Sequence, residues 1–291
     1  MPLQRGRVVA GFGRRFAVEL DRGAEIEAVR RGKRGDVVVG DLVGCLLSES
    51  RQSVIESIEP RASLLFRADA ERSKPLAANV GQVAVVFAPQ PPFSREFIWR
   101  ALLAARAAGV DAMAVLNKTD LPDATAQAVL AQLTALGART LRISARTEPS
   151  TAREALGTCF EGRATLLVGQ SGMGKSTLLN LLIGAGARTG EVSLRGQRGR
   201  HTTTASRWYR YGDSGAIVDT PGFHEFGLQH LAGTDLARLM PDLEACLGAC
   251  RFADCRHLDE PGCSVRAAVV AGTIASERYA FYRALAEPKA R

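Results

Sequence analysis

The chain has 291 residues, a formal net charge of +8, 46% hydrophobic residues and 23% charged residues. This length allows two or three domains with buried cores, and the ordinary composition excludes a wholly disordered chain. No apolar run approaches the ~20 residues of a membrane helix, and the first residues lack the apolar core of a signal peptide. We therefore expect a soluble, cytoplasmic protein that makes no membrane contact.

Residues 4–60 predict a small five-stranded β-barrel, because short strand-like segments alternate there with glycine turns. These segments are Arg7–Ala10, Arg15–Leu20, Glu25–Val29, Val37–Val39, Leu42–Leu47 and Ser53–Ile58. A basic loop at Arg30–Arg34 would suit RNA, which favours an oligonucleotide-binding (OB) barrel. An SH3-like barrel has the same strand spacing and remains the alternative.

Residues 61–80 are predicted to form a linker, and beyond residue 81 strands alternate with helices. The predicted strands are Gln82–Phe87, Asp111–Leu116, Thr140–Ile143 and Ala164–Val168, and the predicted helices are Ser94–Ala108, Ala124–Leu136, Ala152–Phe160 and Lys175–Ile183. This alternation is typical of a mainly parallel sheet covered by helices. An extended stretch near Ser206–Tyr211, a strand at Ala216–Val218 and an irregular cysteine-rich tail that ends in helices complete the chain.

A phosphate-binding loop is predicted between the strand Ala164–Val168 and the following helix, the context that this motif requires. The loop consists of Gly169, Gln170, Ser171, Gly172, Met173, Gly174, Lys175, Ser176 and Thr177. Its glycines let backbone N–H groups turn toward phosphates. Lys175 would place a charge on the outer phosphates, and the Ser176 hydroxyl would bind Mg²⁺. Below, residues 169–177 are called the phosphate loop.

A second phosphate-sensing motif, Asp219-Thr220-Pro221-Gly222, follows the strand Ala216–Val218. Asp219 would hold Mg²⁺ through water, and the Gly222 amide would respond to the terminal phosphate. Many GTPases carry a glutamine after this glycine to orient the attacking water, whereas this chain has Phe223. The water therefore needs another residue to position it.

The base-reading motif consists of Asn117, Lys118, Thr119 and Asp120, and follows the predicted strand Asp111–Leu116. The Asp120 carboxylate would accept hydrogen bonds from guanine N1–H and N2–H₂, a donor pair that adenine lacks. Asn117 would tie this base loop to the phosphate loop, and the Lys118 stem would cover the base. Backbone groups of Ser144 and Ala145 would complete the base site. The base loop precedes the phosphate loop, the reverse of ordinary small GTPases, which indicates circular permutation.

The segment Gly199–Thr204 lies between the phosphate loop and Asp219. Thr203 is our candidate for completing the Mg²⁺ shell, with Thr202 and Thr204 as alternatives. His201 is the candidate for orienting or deprotonating water, and its alternative roles are partner binding or packing. The predicted catalytic residues are therefore His201, Lys175 and Thr203.

A basic stretch surrounds this segment. Six arginines occur with a single acidic residue, Glu191, between positions 188 and 210; they are Arg188, Arg195, Arg198, Arg200, Arg207 and Arg210. Such a density of positive charge favours a polyanionic partner. A solvated arginine-rich loop is the alternative.

Four of the six cysteines lie near the C-terminus. Cys250, Cys255, His257 and Cys263 offer three thiolates and one imidazole, a closed set suited to one structural Zn²⁺. Cys246 would compete with Cys250 as a ligand. Redox-active or simply buried thiols are the alternative, and a disulfide framework is not expected in the cytosol.

Taken in order, these motifs resemble the bacterial small-ribosomal-subunit-dependent GTPase A family. The resemblance implies an OB barrel (residues 1–62), a circularly permuted GTPase domain (63–227) and a zinc-binding helical domain (228–291). It also implies a monomer that binds GTP or GDP with Mg²⁺, contacts 16S rRNA, and acts in late maturation of the 30S subunit with subunit-stimulated GTP hydrolysis. Arg146 follows Ala145 where many GTPases carry lysine, so this loop departs from the usual pattern.

Three other functions are compatible with parts of the sequence. A permuted GTPase could act on the large subunit or another RNA assembly, although the barrel and the zinc tail do not suit that reading. A non-hydrolysing, nucleotide-gated RNA-binding protein would explain the missing glutamine. A nucleoside kinase would share the phosphate loop but leaves Asn117–Asp120 unexplained. Because Asp219–Phe223 runs toward the C-terminal tail, we also hypothesise that GTP state is transmitted mainly to residues 226–291, while the barrel serves as an anchor.

Overall fold

The first strands of the chain close into a barrel in a computed structural model, which describes residues 3–30, 37–48, 52–69, 73–184, 206–221, 223–231 and 235–287. The strands are β1 (Gln4–Phe12), β2 (Arg15–Leu20), β3 (Glu25–Arg30), β4 (Leu42–Leu46) and β5 (Ser53–Ile58). Their order is β1-β2-β3-β5-β4, and β4 pairs back with β1. Only the β3–β5 pair among them is parallel. This closed five-stranded arrangement confirms the OB-type barrel.

The predicted strand at Val37–Val39 is wrong. These residues form a turn, in which the Val38 N–H donates to the Asp41 carboxylate at 2.9 Å, and only Val39 makes an isolated bridge. Asp41 is fully buried and also pairs with Arg61 at 2.7 Å. A side chain that bonds a nearby backbone amide competes with strand pairing, so the turn replaces the strand.

The predicted linker at residues 61–80 is also wrong, because it contains the antiparallel hairpin of β6 (Leu64–Ala68) and β7 (Ser73–Ala78). A register shift between Leu65 and Phe66 interrupts the alternation by which strands are recognised in sequence. The hairpin also touches the barrel turn: a Cβ on Gly40, whose φ is +93°, would lie 2.0 Å from the Ala78 carbonyl oxygen. Only glycine fits this approach.

Six strands form the centre of the molecule. They are β8 (Gln82–Phe87), β9 (Asp111–Leu116), β10 (Arg139–Arg142), β11 (Ala164–Val168), β12 (Arg207–Tyr211) and β13 (Gly215–Asp219), in the order β10-β9-β8-β11-β13-β12. The sheet continues through β12 into β1 of the barrel. All neighbouring pairs of the six strands are parallel except β12–β13. The prediction of a mainly parallel sheet is confirmed.

Helices cover both faces of this sheet: α1 (Arg95–Ala107), α2 (Ala124–Ala135), α3 (Pro149–Phe160) and α4 (Lys175–Ile183). Strand β8 is buried along its whole length. Its Val83 and Val85 share a core with α1 and α2, whereas Ala84 and Val86 share another core with α3 and α4. Successive side chains of a strand point to opposite faces, which explains this division. The phosphate loop and the base loop therefore leave the sheet at its carboxyl edge.

The chain after β13 packs against α1. It contains 3₁₀ turns at Gln229–Leu231 and Leu236–Leu239, and then the helices α5 (Pro241–Glu244), α6 (Ser264–Val270) and α7 (Ser276–Ala286). Residues of these helices join the core cluster that lies under α1 and α2. No helix among the described residues is long and apolar enough to cross a membrane.

Candidate nucleotide site and metal centre

The phosphate loop joins β11 to α4 and turns through glycines. Gly174, the residue just before α4, has a φ of +96°. A Cβ at Gly174 would lie 2.3 Å from Asn117 Nδ2. A side chain here would therefore clash with the base loop as well as strain the backbone. This glycine allows the two loops to touch.

The Lys175 ammonium lies within the phosphate loop and donates hydrogen bonds to the carbonyl oxygens of Gly169 (2.5 Å) and Gln170 (2.8 Å). Burial lowers the pKa of Lys175, and the negative charge of Asp219 opposes this shift. The ammonium is thus a partly desolvated cation held inside a ring of backbone groups. An anion entering the loop would meet a positive charge that water screens poorly.

Oxygen ligands suited to a hard cation lie beside this ammonium. The Ser176 hydroxyl is exposed at the start of α4, and Asp219 ends β13 close enough to influence the pKa of Lys175. Hydroxyl and carboxylate oxygens are ligands that Mg²⁺ prefers. The following residue, Thr220, is buried, and its side-chain oxygen makes no hydrogen bond to any described residue.

Asn117 connects three loops. It is only 2% exposed; its Nδ2 donates to the Met173 carbonyl oxygen at 3.0 Å, and its Oδ1 accepts from the Ala145 N–H at 3.2 Å. The predicted tie between the base loop and the phosphate loop is therefore present. The bond to Ala145 adds the loop after β10, and all three loops are held in one arrangement by one buried amide.

Lys118 spans the same cleft from the base loop. It has a left-handed backbone, with φ of +60°, and its Nζ donates to the carbonyl oxygens of Gln90 (2.7 Å) and Gly172 (2.8 Å). Its aliphatic stem consequently runs across to the phosphate loop. Sequence reasoning missed Gln90, because only a backbone carbonyl of this residue takes part and no side-chain pattern indicates it.

The Asp120 carboxylate is exposed at the mouth of the cleft and accepts a hydrogen bond from the Ser144 hydroxyl at 2.5 Å. The Thr119 N–H donates to the Ile143 carbonyl oxygen at 3.2 Å, which fixes the base loop to the end of β10. Ser144 in turn accepts from the Thr147 hydroxyl at 2.7 Å. Thr147 was also missed by sequence reasoning, although its position three residues after Ser144 is a spacing at which side chains cap local turns.

Several predicted residues lie outside the part of the chain that the structure describes. They are His201, Thr202, Thr203, Thr204 and Gly222, together with Arg188, Arg195, Arg198, Arg200 and residues 31–34 of the basic loop in the barrel. Their predicted roles stay predictions.

The C-terminal metal cluster consists of Cys250, Cys255, His257 and Cys263, whose ligand atoms all lie within 4.8 Å of one another. His257 Nδ1 is 3.4 Å from the Cys250 sulfur and 3.5 Å from the Cys263 sulfur. A tetrahedral zinc site with ordinary bond lengths has sulfur–nitrogen edges of about 3.5 Å. The cluster therefore fits a tetrahedral metal ion. Cys246 directs its sulfur to the Asp242 carbonyl oxygen at 3.8 Å instead.

The loop that carries the cluster is supported from outside. The Glu260 carboxylate accepts from the backbone N–H groups of Arg256, Leu258 and Asp259. Burial raises the pKa of Glu260, but these backbone donors outweigh it and lower the pKa to about 2. Tyr279 of α7 donates to the His257 carbonyl oxygen at 2.7 Å. These contacts hold His257 in its left-handed conformation, with φ of +60°.

Without a metal ion, the Cys255 thiol favours its neutral form. Burial, together with the neighbouring thiols of Cys263 and Cys250, raises the pKa of Cys255 to about 12. Three thiolates this close together repel one another unless a positive ion lies among them. A divalent metal would supply that charge.

Known proteins with the same arrangement are recognisable from both sequence and fold. Residues 58–229 match the RsgA GTPase family. The small ribosomal subunit biogenesis GTPase RsgA of Paraburkholderia xenovorans (strain LB400) is 46% identical over 289 residues, which cover 96% of this chain and 92% of that protein. The protein of the same name from Burkholderia pseudomallei (strain K96243) is 44% identical over 285 residues, covering 97% and 91%.

Two solved structures resemble the fold over nearly its full length. The crystal structure of YjeQ from Thermotoga maritima has a TM-score of 0.67 and 29% identity, and covers 98% of this chain and 97% of its own. YloQ, described as a circularly permuted GTPase, has a TM-score of 0.66 at 23% identity, with coverage of 99% and 97%, and supports the fold alone. From the joined loops, the family match and the relatives, we conclude that the chain belongs to the RsgA GTPase family.

Proposed function

We propose that the protein binds the small (30S) ribosomal subunit and acts in its late maturation, hydrolysing GTP to GDP and phosphate with stimulation by the subunit. The relatives that are 44–46% identical carry the name of small ribosomal subunit biogenesis GTPases. The observation that carries the proposal is the buried Asn117 amide, which joins the base loop to the phosphate loop and to Ala145. A phosphate site tied so directly to a guanine-reading motif suits GTP better than a kinase substrate.

In the proposed site, Asp120 reads guanine and Lys118 covers the base. Backbone groups of the phosphate loop hold the phosphates around the Lys175 ammonium. Bound Mg²⁺ would neutralise charge that develops on the phosphates during transfer. The oxygen atoms of Ser176 and Asp219 would hold that ion. Thr203 and the Gly222 amide would complete the contacts from segments outside the described residues.

In the metal cluster, we propose one structural Zn²⁺ bound by Cys250, Cys255, His257 and Cys263. Soft thiolates beside one imidazole favour zinc over magnesium or calcium. Four protein ligands fill a tetrahedral shell and leave no position for a substrate, so the ion would stabilise the fold. We further propose domain boundaries after residues 62 and 227, a monomer, contact with 16S rRNA and a cytoplasmic location, where 30S subunits mature.

Measuring GTP turnover by the full chain, alone and with purified 30S or 50S particles, tests the reaction and the partner together. We expect turnover that rises with 30S particles only, and co-sedimentation with 30S particles in a non-hydrolysable GTP analogue but not in GDP. Equal stimulation by 50S particles, or none by 30S particles, would contradict the proposal. Phosphate transfer to a nucleoside acceptor would identify a kinase.

An Asp120→Asn variant is a matched control for the nucleotide. Xanthine carries a carbonyl where guanine carries its N2 amine, and an amide can donate to that oxygen. We expect GTP binding to weaken and xanthosine triphosphate binding to strengthen. If GTP affinity were unchanged, Asp120 would not read the base.

The proposed role of His201 is tested with His201→Ala. A catalytic imidazole predicts normal GTP binding together with loss of the 30S-stimulated turnover. Unchanged stimulated turnover would leave His201 without a part in the chemistry.

A further inference from the structure

Three side chains near the cleft form a line of hydrogen bonds that ends on Asp120. The Thr147 hydroxyl lies 2.7 Å from the Ser144 hydroxyl, which lies 2.5 Å from Asp120 Oδ1. A carboxylate only accepts, so Ser144 must donate its single hydrogen to Asp120. Ser144 then has no hydrogen for Thr147, and Thr147 must donate to Ser144. The direction of the whole line is therefore determined by the acceptor at its end.

The middle residue of this line is held on several sides. Ser144 is only 2% exposed, its carbonyl oxygen accepts from the Glu148 N–H at 2.9 Å, and its hydroxyl also lies 3.4 Å from the Thr147 N–H. Because Ser144 is anchored by backbone bonds, its hydroxyl has a preferred position. The Thr147 hydroxyl donates to the Ser144 oxygen and so favours the rotamer in which the Ser144 hydrogen points to Asp120. Without this donor, the Ser144 hydroxyl has more freedom to rotate toward other acceptors.

Asp120 itself is exposed and has two rotatable side-chain bonds. Without a hydrogen-bond partner, its carboxylate would therefore lose conformational entropy when it binds a base. Bonds that point the same way strengthen one another in a partly buried line. The line thus orients one carboxylate oxygen in advance. Orientation before binding increases affinity without any new contact to the ligand.

We propose that Thr147 is a specificity-determining residue that positions Asp120, through Ser144, for the N1–H and N2–H₂ edge of guanine. This inference rests on the proposed function, because it takes guanine as the base. In this proposal, Thr147 acts on the base only through Ser144 and Asp120. The contribution of Thr147 to binding affinity is therefore largest for a base that donates from both N1–H and N2–H₂.

The test compares GDP with IDP, whose base lacks the N2 amine, by calorimetric titration of the full chain. For Thr147→Val, which keeps the shape and removes the hydroxyl, we expect GDP affinity to fall about 3- to 10-fold, the effect of losing one hydrogen bond. IDP affinity should fall less, so the ratio of the two affinities narrows. Thr147→Ser keeps the donor and should restore both the GDP affinity and the ratio.

A second measurement separates orientation from a general weakening of the loop. In the background of Asp120→Asn, Thr147→Val should cause no further change in the GDP-to-IDP ratio, because the carboxylate that the line serves is gone. An equal loss for GDP and IDP, or no loss for either, would overturn the inference while GDP binding by the wild-type chain still stands. Failure of the wild-type chain to prefer GDP over ADP would instead contradict the proposed function itself.

Discussion

The central sheet makes two junctions of different construction, one with the barrel and one with the C-terminal helices. At the barrel junction, β1 meets β12 through a single bridge, Ala10–Arg207, and the Arg7 guanidinium lies 4.5 Å from the centre of the Trp208 ring. Arg210 pairs with Glu19 beside a polar cleft of about 320 Å³. Most of the barrel keeps a separate hydrophobic core, although Val39 joins the core that lies under α1 and α2. This junction therefore combines exposed polar contacts with a small apolar contact, in which Trp208 packs against Val9, Ala10 and Ala17.

The helical junction, between α1 and the C-terminal helices, has a buried centre of aromatic rings and one buried ion pair. Trp99 of α1 is 5% exposed, and its ring lies 5.6 Å from that of Phe281. Arg278 is 4% exposed, lies over the Trp99 ring at 5.4 Å, and pairs with Asp242 at 3.0 Å. Both sides of this junction belong to one core cluster. The C-terminal helices are therefore packed as an extension of the GTPase core, and the barrel is an appended unit.

The segment after Asp219 connects the nucleotide site to the helical junction. Phe223 packs 6.1 Å from Phe97 of α1 and 4.7 Å from Phe226, and Glu225 pairs with Arg100 at 2.5 Å. The barrel contacts β12, the strand before β13, and therefore also lies near the segment after Asp219. We propose that the bound nucleotide affects both junctions. The buried helical junction would transmit the GTP or GDP state to the C-terminal helices, whereas the barrel junction would adjust without transmitting it.

The largest expected effect is on the metal cluster. Removing one ligand with Cys263→Ser, or the ion with a chelator, should abolish the ordered C-terminal helices, because metal binding supplies about 10–16 kcal/mol in small zinc domains. The metal content, measured by atomic absorption, should be one zinc ion per chain in the wild type. Far-ultraviolet circular dichroism should show loss of helix. Cys246→Ser is the matched control and should retain the ion.

If the barrel rather than the C-terminal helices unfolded when the metal was removed, the comparison of the two junctions would be reversed. Hydrogen exchange can locate the change, since the strands of the barrel should stay protected.

A pair of tryptophan variants tests the junctions directly. Trp99→Ala should lower the free energy of unfolding by about 3–5 kcal/mol, as expected for a fully buried aromatic ring. Trp208→Ala removes a half-buried ring that is stacked on Arg7 and should cost about 1–2 kcal/mol. Urea unfolding followed by circular dichroism measures both. Equal losses for the two variants would mean that the junctions do not differ in strength.

Nucleotide state provides a smaller but more specific contrast. We compare amide hydrogen exchange of the full chain with GDP and with a non-hydrolysable GTP analogue. Exchange in α1 and α7 should change by about 3- to 10-fold, corresponding to a coupling of about 1 kcal/mol. Exchange in β3 and β5, which lie farthest from β12 in the strand order of the barrel, should remain the same. A change confined to the barrel would refute transmission through the helical junction.

The extent to which the sequence predicted these features differs between the elements. The phosphate loop, base loop and metal cluster could be proposed from residue types and spacing alone, and β8, β9 and β11 were predicted because their apolar runs alternate with helices. The β6–β7 hairpin was missed because a register shift and Pro75 disguise its alternation. The contacts of Thr147 and Gln90 could not be predicted, since they form only when the loops meet. Neither junction could be predicted from the local sequence, because each forms between segments that are far apart in the chain.

The smallest expected effect concerns Arg7. Burial lowers the pKa of Arg7, and the positive charges of Arg5 and Arg210 lower it further, with Glu19 acting in the opposite direction. Arg7→Leu removes the stack on Trp208, worth about 1 kcal/mol, but also relieves this desolvation and repulsion. The free energy of unfolding should therefore change by less than about 1 kcal/mol. The loss of stability in Arg7→Leu should be larger at high salt. Salt already screens the repulsion between the arginines in the wild type, so the substitution then relieves less of it.

Combining Arg7→Leu with Trp208→Leu in a double-mutant cycle isolates the stack. We expect a coupling energy below about 1 kcal/mol, together with unchanged GDP affinity, because neither residue contacts the proposed nucleotide site. A coupling as large as the loss from Trp99→Ala would show that the barrel is held as firmly as the C-terminal helices. The barrel would then move with β12 as one rigid unit, and the contrast between a transmitting and a yielding junction would have to be abandoned.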